Sequence, residues 1–173
     1  MMCDAPTLGE GFNMDALHSS LALLFAELTD GPAPDAAYML NSGDPGLLRS
    51  LDSLPAEAAS KRSSAGTASI AAHVDHVCYG LDLMNRWSDG EPNPWSTADW
   101  TASWQRGTVT QAEWDALRER LRQSTRRWRA ALAMPRELSR VELNGVIASI
   151  AHLAYHLGAI RQIDRSIQGP KAS

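Results

Sequence analysis

The chain has 173 residues, about one domain's worth. With 44% hydrophobic and 21% charged residues it is too apolar for disorder and can close one core without disulfide or metal staples. A formal net charge of −4 and a pI near 5.7 disfavour nucleic acid and anionic membrane as partners.

Two cysteines, Cys3 and Cys78, make no disulfide framework. No apolar run of about 18 residues and no basic-then-apolar leader pattern is seen, so the expectation is a cytoplasmic protein without a spanning segment.

Alanine and leucine dominate, β-branched residues are sparse and no Asn-Gly turn separates alternating runs, which predicts an all-α domain. The domain is expected to occupy the whole chain, 1–173, with 1–13 as an N-terminal extension and 168–173 as a tail. Leu17, Leu21, Leu24 and Leu28 predict a first helix over Met14 to Thr29, stopped by Gly31, Pro32 and Pro34. Asp44 as N-cap and Pro45 at the first position predict a short helix with Leu47, Leu48, Leu51 and Leu54 inward. Lys61 to Gly66 reads as a loop.

A second long helix is expected from Thr67 to Ser88, with Ile70, Val74, Val77, Leu81 and Met84 as its core stripe. Asp75, Tyr79, Asp82 and Arg86 then fall on a solvated face. Glu91 to Gly107, with Trp95, Trp100 and Trp104 and no helical period, reads as a long crossover. Capping boxes open two more helices, Thr110 with Glu113 and Ser139 with Glu142. The third helix is expected to end near Met134 before Pro135, and the fourth to end near Ile167. Their inward stripes are Trp114, Leu117, Leu121, Trp128 and Leu132, then Val146, Ile150, Leu153, Leu157 and Ile160. The sum is a four-helix bundle.

Four of five histidines stand in two close pairs, His73 with His76 and His152 with His156. Each pair lies along one side of its helix beside the core stripe, where facing helices build metal sites. The residues between His152 and His156 are Leu153, Ala154 and Tyr155, so the His-Glu-x-x-His peptidase pattern is absent. These helices also lack the inward glutamates of a di-metal carboxylate site. The pattern fits a mononuclear three-histidine site with an open position, suited to zinc, nickel or iron. Such a site can lower the pKa of bound water, bind a thiolate or polarise a carbonyl.

The run Ser69-Ile-Ala-Ala-His73-Val-Asp-His76, the segment His152-Leu-Ala-Tyr-His-Leu-Gly-Ala-Ile-Arg161 and the order of helices resemble the DinB/YfiT-like family. The resemblance runs from Met14 to Ile167. It implies a bundle in up-down-down-up order, with the crossover between the second and third long helices. It also implies one divalent metal held by one histidine of the second helix and two of the last. Counting seven positions from Ser69 gives His76, so the implied ligands are His76, His152 and His156, with His73 as a supporting partner or alternative ligand. The implied activity is transfer of a low-molecular-weight thiol, such as bacillithiol or mycothiol, to a small electrophile. Thiol-dependent maleylpyruvate isomerisation also occurs among similar proteins. Metal-dependent hydrolysis and a metal-binding bundle without turnover are the competing readings. The expected partner is a small molecule, with no nucleic acid and no membrane, and a homodimer is an expected assembly.

The remaining features read as structural. Arg118, Arg122, Arg126 and Arg129 make a solvated, ion-paired stripe. Arg161 pairs with an acid or a helix end. Trp87, Trp95, Trp100 and Trp104 anchor the crossover and can also roof the site. Cys78 is a small core residue and His18 a structural histidine.

Overall fold

Side chains just outside each helix set where it starts. In the computed structural model, which describes residues 13–64 and 67–171, Asn13 accepts from the amides of Asp15 and Ala16 to open α1, Met14–Asp30. Asp44 Oδ1 accepts from Gly46 N at 2.8 Å and opens α2, Gly46–Asp52. Gly31 and Gly46 both have positive φ, and a Cβ on Gly46 would lie 2.4 Å from Gly31 N. The chain therefore folds back there on two residues without side chains. A four-residue helix that the sequence pattern did not announce, α3 (Ala56–Ala59), follows Pro55.

Ser69 rather than Thr67 caps α4, Ile70–Ser88, by accepting from Ala72 N. Thr67 instead closes a turn onto Ser64 O at 2.8 Å. Both expected capping boxes are present, on α5 (Gln111–Ala133) and α6 (Arg140–Ile163). α6 ends earlier than the apolar pattern suggests, because Asp164 turns extended and caps a 3-10 turn at Arg165–Ile167. The crossover contains two further 3-10 turns, Pro94–Thr97 and Ala102–Trp104. Among the described residues there is no strand, so the fold is all-α. Cys3 and the expected N-terminal extension up to residue 12 lie outside the described residues, as do residues 65–66 and 172–173.

The Ile70–Met84 set on α4, the Trp114–Leu132 set on α5 and the Val146–Ile160 set on α6 are buried, whereas Leu17 and Leu24 of α1 and Leu48 of α2 are only partly so. α4 and α1 each pack against both α5 and α6, which closes the four long helices around one core. The two fully buried indoles keep their N–H groups paired, Trp114 donating to Leu54 O at 2.7 Å and Trp128 to Ser149 Oγ at 3.0 Å. By length and composition α6 is apolar enough to cross a membrane, with mean hydropathy 1.3. It is built into the bundle, where a core helix has the same composition.

One expectation about polar residues needs correction. The face of α4 read as solvated meets α5: Arg120 pairs with both Asp75 and Asp82, and Ser124 donates to Asp82 at 2.6 Å. The inward position of Glu27 was also missed. Its Oε1 takes the amides of Tyr38, Met39 and Leu40 at 3.0, 2.7 and 2.7 Å, which organises the loop after α1 far from the histidines. The arginine stripe on α5 is ion-paired as expected, Arg118 and Arg122 to Asp52, Arg126 to Glu119 and Arg129 to Asp30. His18 is buried, donating its Nδ1–H to Leu132 O at 3.0 Å and accepting from Arg136 N at Nε2 at 3.2 Å.

Arg161 near the end of α6 pairs with Asp44 at 2.6 Å, and Asp44 is 3% exposed. Removing one partner of a buried pair leaves the other charge without compensation. Asp44→Ala is therefore expected to lower unfolding free energy by about 3–5 kcal/mol in urea titration, more than any single substitution in the α5 arginine stripe.

Candidate metal centre

Helical periodicity brings the two histidine pairs face to face. Capped at Ser69, α4 presents His73 and His76 to α6, and α6 presents His152 and His156 from one face, a turn apart. His73, His76 and His156 are buried, and His152 is half-buried. His152 Nε2 lies 3.1 Å from His76 Nε2 and 2.9 Å from His156 Nε2. Ligating nitrogens of these three residues all lie within 4.8 Å of one another. Two nitrogens on one tetrahedral zinc, each at about 2.0–2.1 Å, would be about 3.3 Å apart, so the group stands near ligating separation.

His73 meets the group from outside. Its Nδ1 is 2.8 Å from Nδ1 of His156, on the side of that ring turned away from His152. On the other flank, Ser103 Oγ donates to Trp100 O at 2.7 Å and so receives the His76 Nδ1 proton at 2.7 Å. This leaves His76 Nε2 with a free lone pair. The same holds for His156 when its Nδ1–H donates to His73. Three Nε2 atoms then converge with at most one proton among them, an arrangement that a cation completes. The donor set of neutral imidazoles fits a divalent metal of the zinc, nickel or iron type. The three histidines can hold such an ion.

Burial governs the protonation of all four. It pushes His76 down to about 4 and His156 down to about 3, helped in each case by neighbouring histidines. Asp75 opposes the shift at His76. His73 and His152 are lowered by burial as well. Each imidazole is therefore neutral at pH 7 and able to donate a lone pair.

The crossover roofs this cluster. Trp104 stacks on His76 with ring centroids 4.1 Å apart and meets His73 edge-on at 5.2 Å, while Trp100 tilts over His76 at 5.6 Å. The roof is pinned from α4 by residues expected to face water. Tyr79 Oη accepts from Asp99 N at 2.8 Å, and Asp75 accepts from Arg106 at 2.6 Å. The tryptophans thus anchor the loop and cover the site together. Ser103 and Asp75 were not singled out as site residues, and no local pattern marks them, because their roles arise from where the crossover lands. Cys78 is buried in the core, and burial pushes its thiol up to about 12, so it is no nucleophile at neutral pH.

A cavity of about 290 Å³ opens beside His152 between α4 and α6. Gly80, Gly145 and Ala148 form its walls, with Trp95 and Trp100 over it. A second hollow of about 350 Å³ shares Met84, Trp95 and Gly145 with it and continues toward the start of α6.

An all-helical protein with a histidine cluster between two of its long helices is the class that fold and site define. A family model described as the DinB superfamily matches residues 45–160, and the chain belongs to that superfamily. The match contains all four clustered histidines and leaves α1 outside. No curated protein and no solved structure gave a match.

The depressed histidine pKa values set a sign for acid sensitivity. An unfolded chain protonates these residues below about 6.5, whereas the folded one holds His76 neutral to about 4 and His156 to about 3. The stability they contribute is complete above about 6.5 and is lost progressively as pH falls from there toward 4 and 3. In metal-free protein the urea midpoint should fall steadily between pH 6.5 and 5, above the usual carboxylate range, and His76→Gln should flatten that slope.

Proposed function

We propose that the protein is a metal-dependent transferase that joins a low-molecular-weight thiol to a small electrophile. The observation that carries the reading is the convergence of three Nε2 atoms beside an apolar cavity. His76, His152 and His156 would hold one divalent ion, zinc or nickel by preference and iron as a further option. A cation there supplies Lewis acidity and lowers the pKa of a thiol entering the site. The reaction forms a carbon–sulfur bond, and the thiol proton passes to the adduct or to the departing group.

The chain's own residues do the positioning. Ser103 fixes the His76 tautomer, His73 holds the outer nitrogen of His156, and Trp100 and Trp104 exclude water from the imidazoles. Outer partners of this kind tune ligand orientation and basicity. We read His73 as such a partner rather than as an alternative ligand, a reading supported by its contact with the outer nitrogen of His156.

We read the bundle as up-down-down-up. In support, His73 and His76 meet His156 and His152 in reversed order, whereas Asp82 and Asp89 meet Ser124 and Arg127 in the same order. The long crossover between α4 and α5 is what such a parallel pair requires. A cytoplasmic small-molecule enzyme, without a nucleic-acid or membrane partner, accords with the free buried thiol of Cys78 and the negative net charge.

Elemental analysis should find about one equivalent of metal in the wild type and a loss of most of it in His76→Ala and His152→Ala. His73→Ala and Ser103→Ala should retain a site weakened about 10–100-fold, read by competition with a chromogenic chelator. With metal confirmed, a model electrophile tested against several low-molecular-weight thiols should be consumed only when both thiol and metal are present. Thiol-independent turnover would favour hydrolysis, and inactivity across a broad panel would favour a binding role.

A further inference from the structure

The cavity beside His152 has a chemical character of its own. Its lining contains no Lys, Arg, Asp or Glu. The one hydroxyl in the wall, Ser149 Oγ, is already engaged, accepting from Trp128 Nε1 and donating to Val146 O at 2.7 Å. That leaves His152 and the indole N–H groups of Trp95 and Trp100 as the polar groups able to meet a guest. The Nε2 of His152 faces His76 and His156, while its Nδ1 has no hydrogen-bond partner among the described residues and lies beside Gly80.

Small residues keep this space open at a local cost. Gly80 sits inside α4 and Gly145 inside α6, where glycine destabilises a helix by about 0.5–1 kcal/mol relative to alanine. A Cβ at Gly80 would touch His152 at 3.7 Å and Trp100 at 3.9 Å, and a Cβ at Gly145 would meet open space. Backbone geometry requires glycine at neither position, since neither has positive φ. Above them Trp95 and Trp100 remain 37% and 42% exposed, large apolar surface that a guest in the cavity would cover.

We propose that this cavity binds the electrophilic substrate, and that the substrate is a neutral, mainly apolar molecule about the size of two fused rings, with one polar group turned toward His152. The proposal rests on the transferase reading only in calling the guest the electrophile. Size follows from volume: an apolar cavity of about 150 Å³ holds one benzene, and this one is about twice as large. Neutrality follows from the wall itself, which in the metal-free protein offers a buried charge no counter-charge. Flat shape follows from the two indoles, whose faces favour offset or edge contact with another ring. A polar, multiply charged thiol does not suit this wall and must reach the histidines from elsewhere.

The test uses 2-naphthol, neutral at pH 7, and 2-naphthoate, its carboxylate counterpart, titrated into the full-length protein. Binding is read by calorimetry and by amide shifts of Gly80, Gly145 and Ala148, on both metal-loaded and chelator-treated samples. 2-Naphthol should shift those amides, and 2-naphthoate should bind the chelator-treated protein at least ten times more weakly. Gly145→Leu, which adds a side chain into open space on a helix that favours leucine, should weaken 2-naphthol at least tenfold with helicity and metal content unchanged. Gly80→Ala, whose methyl would stand at ordinary contact distance from His152 and Trp100, serves as an independent second variant and should weaken 2-naphthol to a smaller degree.

Equal or tighter binding of 2-naphthoate to the chelator-treated protein would overturn the neutrality of the guest. Unmoved cavity amides, or unchanged affinity in both folded variants, would overturn the site itself. Because 2-naphthol binding is expected with and without metal, its failure is distinguishable from a failure of the metal or thiol reading.

Discussion

Four neutral imidazoles packed between α4 and α6 are the constraint around which the rest of the molecule is arranged. Lone pairs aimed at one point in a water-poor place repel one another, and the surroundings must hold them there. On one flank Ser103 takes the His76 proton, on the other His73 takes up the outer edge of His156, and Trp104 lies flat across His76. The crossover that supplies Ser103 and both indoles is fastened to α4 through Tyr79 and Asp75. The outward-looking polar side of α4 therefore supports its histidine side, and Arg120 ties the same aspartates to α5.

The division of labour along α4 is unusually clear. One side carries the core stripe, one carries His73, His76 and Gly80, and one carries Asp75, Tyr79 and Asp82. The helix thus has no free face over much of its length, and among its described residues most are buried. This explains why an interior glycine is tolerated at position 80: packing from three directions holds the helix where propensity alone would loosen it.

Much of the fold was legible because it rests on local signals. The capping boxes of Thr110 with Glu113 and Ser139 with Glu142 need only three residues, and the core stripes need only a period. The histidine pairs were legible for the same reason, since i, i+3 and i, i+4 spacing places them on one face. Choosing His76 over His73 as the candidate ligand required the family resemblance, because spacing alone treats the two alike. Asp75, Ser103 and the inward Glu27 could not be read, for each is defined by a partner far along the chain or by where an irregular loop comes to rest. The end of α6 was misjudged because Ile167 continues the apolar pattern in a separate 3-10 turn after the helix has stopped.

The clasp between Asp44 and Arg161 bears on the order of events during synthesis. It joins residues 117 positions apart, and it lies just outside the two ends of the superfamily match. Asn41 adds a bond to Pro170 O, so the segment after α6 is tied to the loop between α1 and α2. Neither this clasp nor the histidine cluster can exist until α6 has emerged. Until then Asp44 has no arginine to meet it, and half of the imidazoles are missing. The clasp and the histidine cluster therefore both wait on the last long helix.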